Sequence, residues 1–314
     1  MAAYIGRRLL ALPPLLLIIS IIIFGLSVII PGDPAQTLAG LSAPRSEVIK
    51  IRHQLGLDKP LVVQYWTWLD HVLHGNLGTS LVANSTVASQ LGERFPVTLS
   101  MAIGGLVVII LIGLPAGLIA GTRPGTILDR IMTVGSSAGI AVPDFWLAMV
   151  LIVLFAVKFH LLPAIGYVGI TASPIQWATH LYLPWIALGI SGGATLARQL
   201  RSSLIDVLDQ EYIRTAEAKG LRRRKIILKH ALKNASMVPV TLIGLQFAYL
   251  LGGTIILENI FSMPGLGQYF FDALNAKDLP VIQGVTLVYA LTFVIMNLIV
   301  DVVYGYINPK IRFG

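Results

Sequence analysis

Leu9-Leu-Ala-Leu-Pro-Pro-Leu-Leu-Leu-Ile-Ile-Ser-Ile-Ile-Ile-Phe-Gly-Leu-Ser-Val-Ile-Ile30 runs for 22 residues without a charge. As a helix it is about 33 Å long, enough to cross the hydrocarbon core of a bilayer. Arg7 and Arg8 precede it, so a cleavable signal is the competing reading. The run is longer than a signal's apolar region, and Ile30-Pro-Gly-Asp-Pro34 is a poor small-residue cleavage site. The segment is therefore read as a retained membrane helix.

The same pattern recurs outward from this run. Pro96–Gly121, Ile131–Val157, Leu183–Leu200, Met237–Leu257 and Val281–Tyr306 are predicted as five more spans, which makes an all-α membrane protein of six transmembrane helices. Pro143 interrupts the third and predicts a kink or a partly interfacial start there. Only 12% of the 314 residues are charged, about half of what a soluble domain carries, and 55% are hydrophobic. Lipid is the solvent for much of such a surface. With no cysteine, disulfides, thiolate zinc sites, Fe–S clusters and a cysteine nucleophile are all excluded.

Lys and Arg near the span ends set the orientation. With the N-terminus inside, sixteen of the 23 basic residues fall on inside segments: Arg7, Arg8, Arg123, Arg130, Arg198, Arg201, Arg214, Lys219, Arg222, Arg223, Arg224, Lys225, Lys229, Lys233, Lys310 and Arg312. The seven on outside segments are roughly neutralised by acids such as Asp33, Glu47, Asp58 and Asp70. Both termini are thus expected in the cytoplasm, and the net charge of +8 belongs to topology rather than to a nucleic-acid partner. The outside segment 31–95 holds two helix-like stretches, near Arg45–Leu57 and Val62–Leu73. The second carries Tyr65, Trp66 and Trp68, a group suited to the membrane interface or a protein partner.

The inside loop between the fourth and fifth spans is the most informative. Asp209-Gln-Glu-Tyr-Ile-Arg-Thr-Ala-Glu-Ala-Lys-Gly220 reads as a short helix, with Asp209 as N-cap, Glu211 near the positive end, Lys219 near the negative end and Gly220 as the stop. Ile213, Ala216 and Gly220 share a small apolar face that would let another protein's backbone come close. A second helix, Arg222–Lys233, sets Ile226, Ile227 and Leu228 among six cations; a basic segment lying on anionic lipid is the competing reading.

Tyr212-Ile-Arg-Thr-Ala-Glu-Ala-Lys-Gly-Leu221, followed by Ile226-Ile-Leu-Lys-His-Ala-Leu-Lys-Asn234, resembles the EAA loop of ABC importer permeases. The family's Glu-Ala-Ala falls on Arg214, Thr215 and Ala216, the glycine is kept as Gly220, and Lys233 replaces the proline that often ends the motif. These departures resemble the dipeptide/oligopeptide (DppB/OppB-like) branch. So do Leu55-Gly-Leu-Asp-Lys-Pro60, Gly75-Asn-Leu-Gly-Thr-Ser80, Arg94-Phe-Pro-Val-Thr-Leu99, Pro143-Asp-Phe-Trp-Leu147 and Glu258-Asn-Ile-Phe-Ser-Met-Pro-Gly-Leu-Gly-Gln268, in the family's order. Asp144 stands where a small or hydroxyl residue is expected.

The resemblance implies a type I ABC importer permease fold in a bacterial inner membrane. It implies residues 1–30 as an N-terminal membrane helix, 31–95 as an extracytoplasmic helical segment, and 96–314 as a five-helix core with a coupling loop at 202–235. It implies ATPase coupling by Tyr212, Ile213, Thr215, Ala216, Ala218, Lys219, Gly220 and Leu221. The implied partners are a homologous second permease, two ATP-binding subunits and an extracytoplasmic substrate-binding protein. The implied substrates are dipeptides or oligopeptides, with haem, nickel complexes or glutathione as alternatives within the family.

The residues themselves agree with a need for partners. No Gly-x-x-x-x-Gly-Lys-[Ser/Thr] loop occurs, so ATP and magnesium are expected on separate subunits and no cofactor on this chain. Gly135-Ser-Ser-Ala-Gly139 matches a nucleophile elbow in letters only, because it sits in a predicted span and small residues there usually serve packing. Asp70, His71 and His74 lack a fourth ligand, and no metal site is expected. Asn84-Ser-Thr86 matches a glycosylation sequon. Among acids in or beside spans, Asp301 lies near the inner interface, Asp144 beside the Pro143 kink is a pathway candidate, and Glu258 opens an outside turn or re-entrant lip containing Pro264, Gly265 and Gly267. A secondary transporter would show inverted repeats, and a membrane enzyme a nucleophile–base set; neither pattern is present.

Overall fold

The computed structural model describes residues 2–29, 33–40, 43–83 and 85–307, and its regular elements are helices apart from one bridge between Thr79 and Thr86. In chain order they are α1 (Ala2–Ile29), α2 (Pro34–Ala39), α3 (Arg45–Gln54), α4 (Leu61–Leu73), α5 (Val87–Thr122), α6 (Ile127–Ala141) and α7 (Asp144–Leu151, continued as a π-helix over Ile152–Lys158). Then come α8 (Pro174–Leu208), α9 (Glu211–Ala218), α10 (Arg223–Lys225, continued as a π-helix over Ile226–Ala231), α11 (Leu232–Ala235), α12 (Met237–Ile260), α13 (Leu266–Ala276) and α14 (Leu279–Ile307). The sequon at Asn84 and the basic residues Lys310 and Arg312 lie outside the described residues, as do the side chains of Arg7, Arg8 and Asp301.

By length and apolarity, Val87–Thr122, Pro239–Ile260 and Leu279–Val300 are each able to cross a membrane alone, and α6 with α7 would make a fourth span if the pair acts as one. Among the described residues α1 adds the shorter apolar run Leu10–Leu26. Helix α8 does not qualify, because its glycine-rich middle and its Arg198, Arg201 and Asp206 lower its apolarity. The predicted third span is corrected in form. Instead of a kink, α6 and α7 meet at 97°. Proline disfavours the helical region for the residue before it, and both Val142 (ψ 120°) and Pro143 (ψ 137°) are extended, so the chain turns completely before Asp144 starts the next helix.

The chain forms two compact units. The first contains Leu99–Met263 and the described part of Ile295–Gly314. At its centre α5 lies close against α8. A Cβ at Gly113 would fall 2.7 Å from the Cβ of Leu196, and one at Gly117 would fall 2.8 Å from the Ala197 carbonyl oxygen. Gly192 and Gly193 of α8 admit Ile109 and Ile112 in return. Small residues let backbones approach in lipid, where apolar side chains gain little by leaving the tails. Trp185 closes one end, its Nε1–H donating to the Ser100 carbonyl at 2.9 Å.

The second unit contains Ala2–Thr98 and Pro264–Val294. Val87 and Leu91 of α5 pack with Leu266, Tyr269 and Ala273 of α13 and with Leu279, Ile282 and Val285 of α14. Ser80 donates to Asp278 at 2.5 Å, and the Leu266 N–H donates to Thr98 at 2.8 Å. Three of the quoted stretches, Gly75–Ser80, Arg94–Leu99 and Glu258–Gln268, therefore supply contacts to this unit. The predicted turn or lip is a turn at Phe261–Gly265; after an extended Gly265 the chain forms the 11-residue helix α13, and Gly267 is buried inside it.

Candidate coupling helix and translocation residues

Helix α9 spans eight residues, Glu211–Ala218. Its N-cap is Gln210 rather than Asp209, which instead closes α8 and pairs with Arg214 at 2.8 Å. Helix α8 runs eight residues past the predicted end of its span, and Asp209 is used up by that extension. Gly220 ends α9 in the left-handed region (φ +74°). Its N–H donates to the Glu217 carbonyl at 2.9 Å and that of Leu221 to the Ala216 carbonyl at 3.3 Å, the paired bonds that glycine permits at a helix end.

The face containing Ile213 and Ala216 does not look outward, and that expectation is corrected. Both residues are buried with Leu200 and Leu204 of α8 and with Ile226, Ala231 and Ala235 of the following segment, and Leu221 packs at the margin. A helix of two turns is unstable alone and must bury its apolar stripe; the end of α8 is the nearest apolar surface. The outward face of α9 holds Glu211, Tyr212, Thr215, Ala218 and Lys219, with Gly220 beyond it. The Tyr212 hydroxyl accepts from Asn234 Nδ2 at 2.8 Å, a second tie to the segment after the loop.

The predicted helix Arg222–Lys233 appears as α10, its π-helical continuation and α11. Arg222, Arg224, Lys225, Lys229 and Lys233 are exposed. Arg223 donates to the Thr122 carbonyl at 3.2 Å and so satisfies an unpaired acceptor at the end of α5.

One pair escaped the sequence reading. Asp129, buried at the start of α6, accepts from Arg201 of α8 through both oxygens, at 2.5 and 2.8 Å, and also from the Gly125 N–H and the Thr133 hydroxyl. Such a fork-to-fork pair is both strong and geometrically specific. Its signal was available: an acid just before the predicted third span and an arginine just after the predicted fourth. Next to it Arg198 donates to Ser137 at 3.0 Å. Ser137 is thus a helical residue within the Gly135–Gly139 stretch, where Gly139 packs on Ala194 of α8.

Asp144 is half-buried in the first turn of α7, beyond the 97° bend, and has no hydrogen-bond or ion-pair partner among the described residues. Glu258 differs from expectation in its place: it lies inside α12, two residues before its end, and is fully buried. The two acids make no contact with each other. His74 turns its ring to the Asp70 carbonyl at 2.8 Å, and among the described residues no three His, Asp or Glu gather as a metal site.

Apolar helices long enough to cross a membrane, a sharply bent apolar helix pair and a short amphipathic helix rooted on α8 define a multi-pass helical membrane protein. Residues 113–313 match the family described as binding-protein-dependent transport system inner membrane component, and residues 1–102 match the N-terminal part of such membrane components. The chain belongs to this family: it is a multi-pass inner-membrane permease of an ABC importer and not itself an enzyme. Over 313 residues it is 40% identical to the glutathione transport system permease protein GsiC of Salmonella choleraesuis (strain SC-B67), covering 100% of each chain. The same protein of Escherichia coli (strain K12) is also 40% identical over 313 residues, again with 100% of each covered. A solved structure of the MetNI methionine ABC transporter in an inward-facing conformation aligns with a TM-score of 0.57 at 19% identity, covering 70% of this chain and 96% of that one. That likeness is of fold alone.

Proposed function

We propose that this chain forms half of an alternating-access pathway for a small peptide of the glutathione type, driven by two ATP-binding subunits that dock on the outward face of α9. A homologous second permease completes the pathway, and an extracytoplasmic binding protein delivers the substrate. ATP and magnesium stay on the ATP-binding subunits. Both termini and α9 face the cytoplasm, as the placement of Lys and Arg favours.

The observation that carries the coupling role is the division of α9 into two faces. Ile213 and Ala216 root it on Leu200 and Leu204, so a push on the helix moves α8 with it. Tyr212, Thr215, Ala218, Lys219 and Gly220 meet the docking subunit. ATP binding draws the two ATP-binding subunits together and carries α9, α8 and the α5 packed against it from one access state to the other. Asp144 serves the pathway by receiving the substrate's ammonium group, because a carboxylate in a span needs water or a positive partner. Glu258, buried within the chain, has a supporting role.

The glutathione-type substrate rests on full-length similarity to permeases of that name, and a dipeptide is the second reading. Co-expression with the products of the neighbouring reading frames, reconstitution, and uptake of labelled glutathione and labelled dialanine separate them. ATP-dependent glutathione uptake that excess dialanine leaves unchanged is expected. Dialanine uptake without glutathione uptake would overturn the substrate assignment.

A further inference from the structure

Helix α4 carries an apolar sector that nothing among the described residues covers. At about 100° per residue, Tyr65 and Trp68 point one way, toward α1. The Phe24 ring lies 5.5 Å from Tyr65 and 5.9 Å from Trp68, and Ser20 and Tyr65 share a hydrogen bond of 2.8 Å between their hydroxyls. Val62, Trp66, Leu69 and Leu73 recur at i, i+4, i+7 and i+11 and fill the adjoining arc of about 60°. Val62, Trp66 and Leu73 are 67%, 58% and 76% exposed. Gln64, Thr67, Asp70, His71 and His74, with one exposed apolar residue, Val63, among them, occupy the opposite arc.

The position of that sector identifies its occupant. Ser20 and Phe24 lie nine and five residues before the end of α1 at Ile29, roughly 14 and 8 Å back along its axis. If α1 crosses the bilayer, these contacts set α4 beside the outer half of that span. A helix with one flank on a span, the next flank apolar and the remainder largely polar fits the outer leaflet up to its headgroup boundary, where tryptophan is enriched. We infer that α4 is an interfacial helix whose Val62–Trp66–Leu73 stripe rests in the outer leaflet, so that phospholipid is its partner and holds the extracytoplasmic segment against the membrane. The inference uses the membrane crossing of α1 and is independent of the substrate.

Because the chain has no cysteine, single cysteines at Val62, Trp66 and Leu73 and, for comparison, at Thr67 and His71 can carry an environment-sensitive fluorophore. They are read in the complete transporter in phosphatidylethanolamine–phosphatidylglycerol vesicles, with uptake measured for each. The expected result is blue-shifted emission at 62, 66 and 73, quenched by nitroxide-labelled lipid and little by iodide, with the reverse at 67 and 71. Iodide quenching at all five positions would overturn the inference. So would shielding of the stripe from both quenchers, which would mean that a protein subunit covers it. Normal uptake by the labelled complexes keeps either failure separate from a failure of the transport reading.

Discussion

Asp129 and Arg201 illustrate what a single side chain contributes in this chain. The carboxylate is buried, and its charge is tolerable because both oxygens are bonded to the guanidinium. Replacing Arg201 by Ala leaves an uncompensated buried charge, at a cost of roughly 3–5 kcal/mol. The melting temperature of the detergent-solubilised complex should fall clearly for Arg201→Ala, and less for Asp129→Ala combined with Arg201→Ala. A double variant that falls by the sum of the two singles would contradict the pairing. Asp144 is the opposite case, a half-buried acid with no partner among the described residues. Asp144→Asn keeps the shape and removes the charge. Assembly and ATP binding should be normal, with uptake reduced most for substrates carrying a free ammonium group. Unchanged uptake of neutral and cationic peptides alike would make the residue structural.

At the level of elements, α9 makes a prediction with two halves. Ile213→Ala opens a cavity in the cluster formed with α8, worth about 2–5 kcal/mol, and should lower both thermal stability and coupling. Ala218→Trp lies on the outward face and should leave the melting temperature unchanged while reducing co-purification of the ATP-binding subunits. Equal effects of the two variants on stability would refute the division of faces. The amphipathic character of α9 and its glycine stop were legible in the sequence, because both are local. Which way its apolar stripe faced was not, since Leu200 and Leu204 supply that surface from another helix. Pro143 announced a break, but the right angle depends on Val142 also being extended. Helices α3 and α4 were legible to within a few residues, each starting after a proline, Pro44 and Pro60. The glycines of α5 and α8 mark a close contact only once the two helices are seen together.

For the whole molecule, the basic residues predict which ends of the helices meet the cytoplasm, and the absence of native cysteine makes this simple to test. Cysteines at Ser85 and Asn275 should react with an impermeant maleimide in intact cells, whereas one at Asp209 should react only after permeabilisation. Outside labelling at position 209 would overturn the orientation and the coupling assignment together. The permease family, the helical fold and the inner-membrane location are common ground with relatives of the same length; the direction in which force enters this chain is the central claim. A cysteine at Ala218, on the outward face of α9, tests it most directly. In inside-out vesicles its labelling rate would be compared between the permease pair alone and the pair with its ATP-binding subunits. Strong protection by those subunits is predicted, with a cysteine at the exposed Arg130 remaining reactive in both. An unchanged rate at position 218, with ATP-driven uptake intact, would contradict docking on α9.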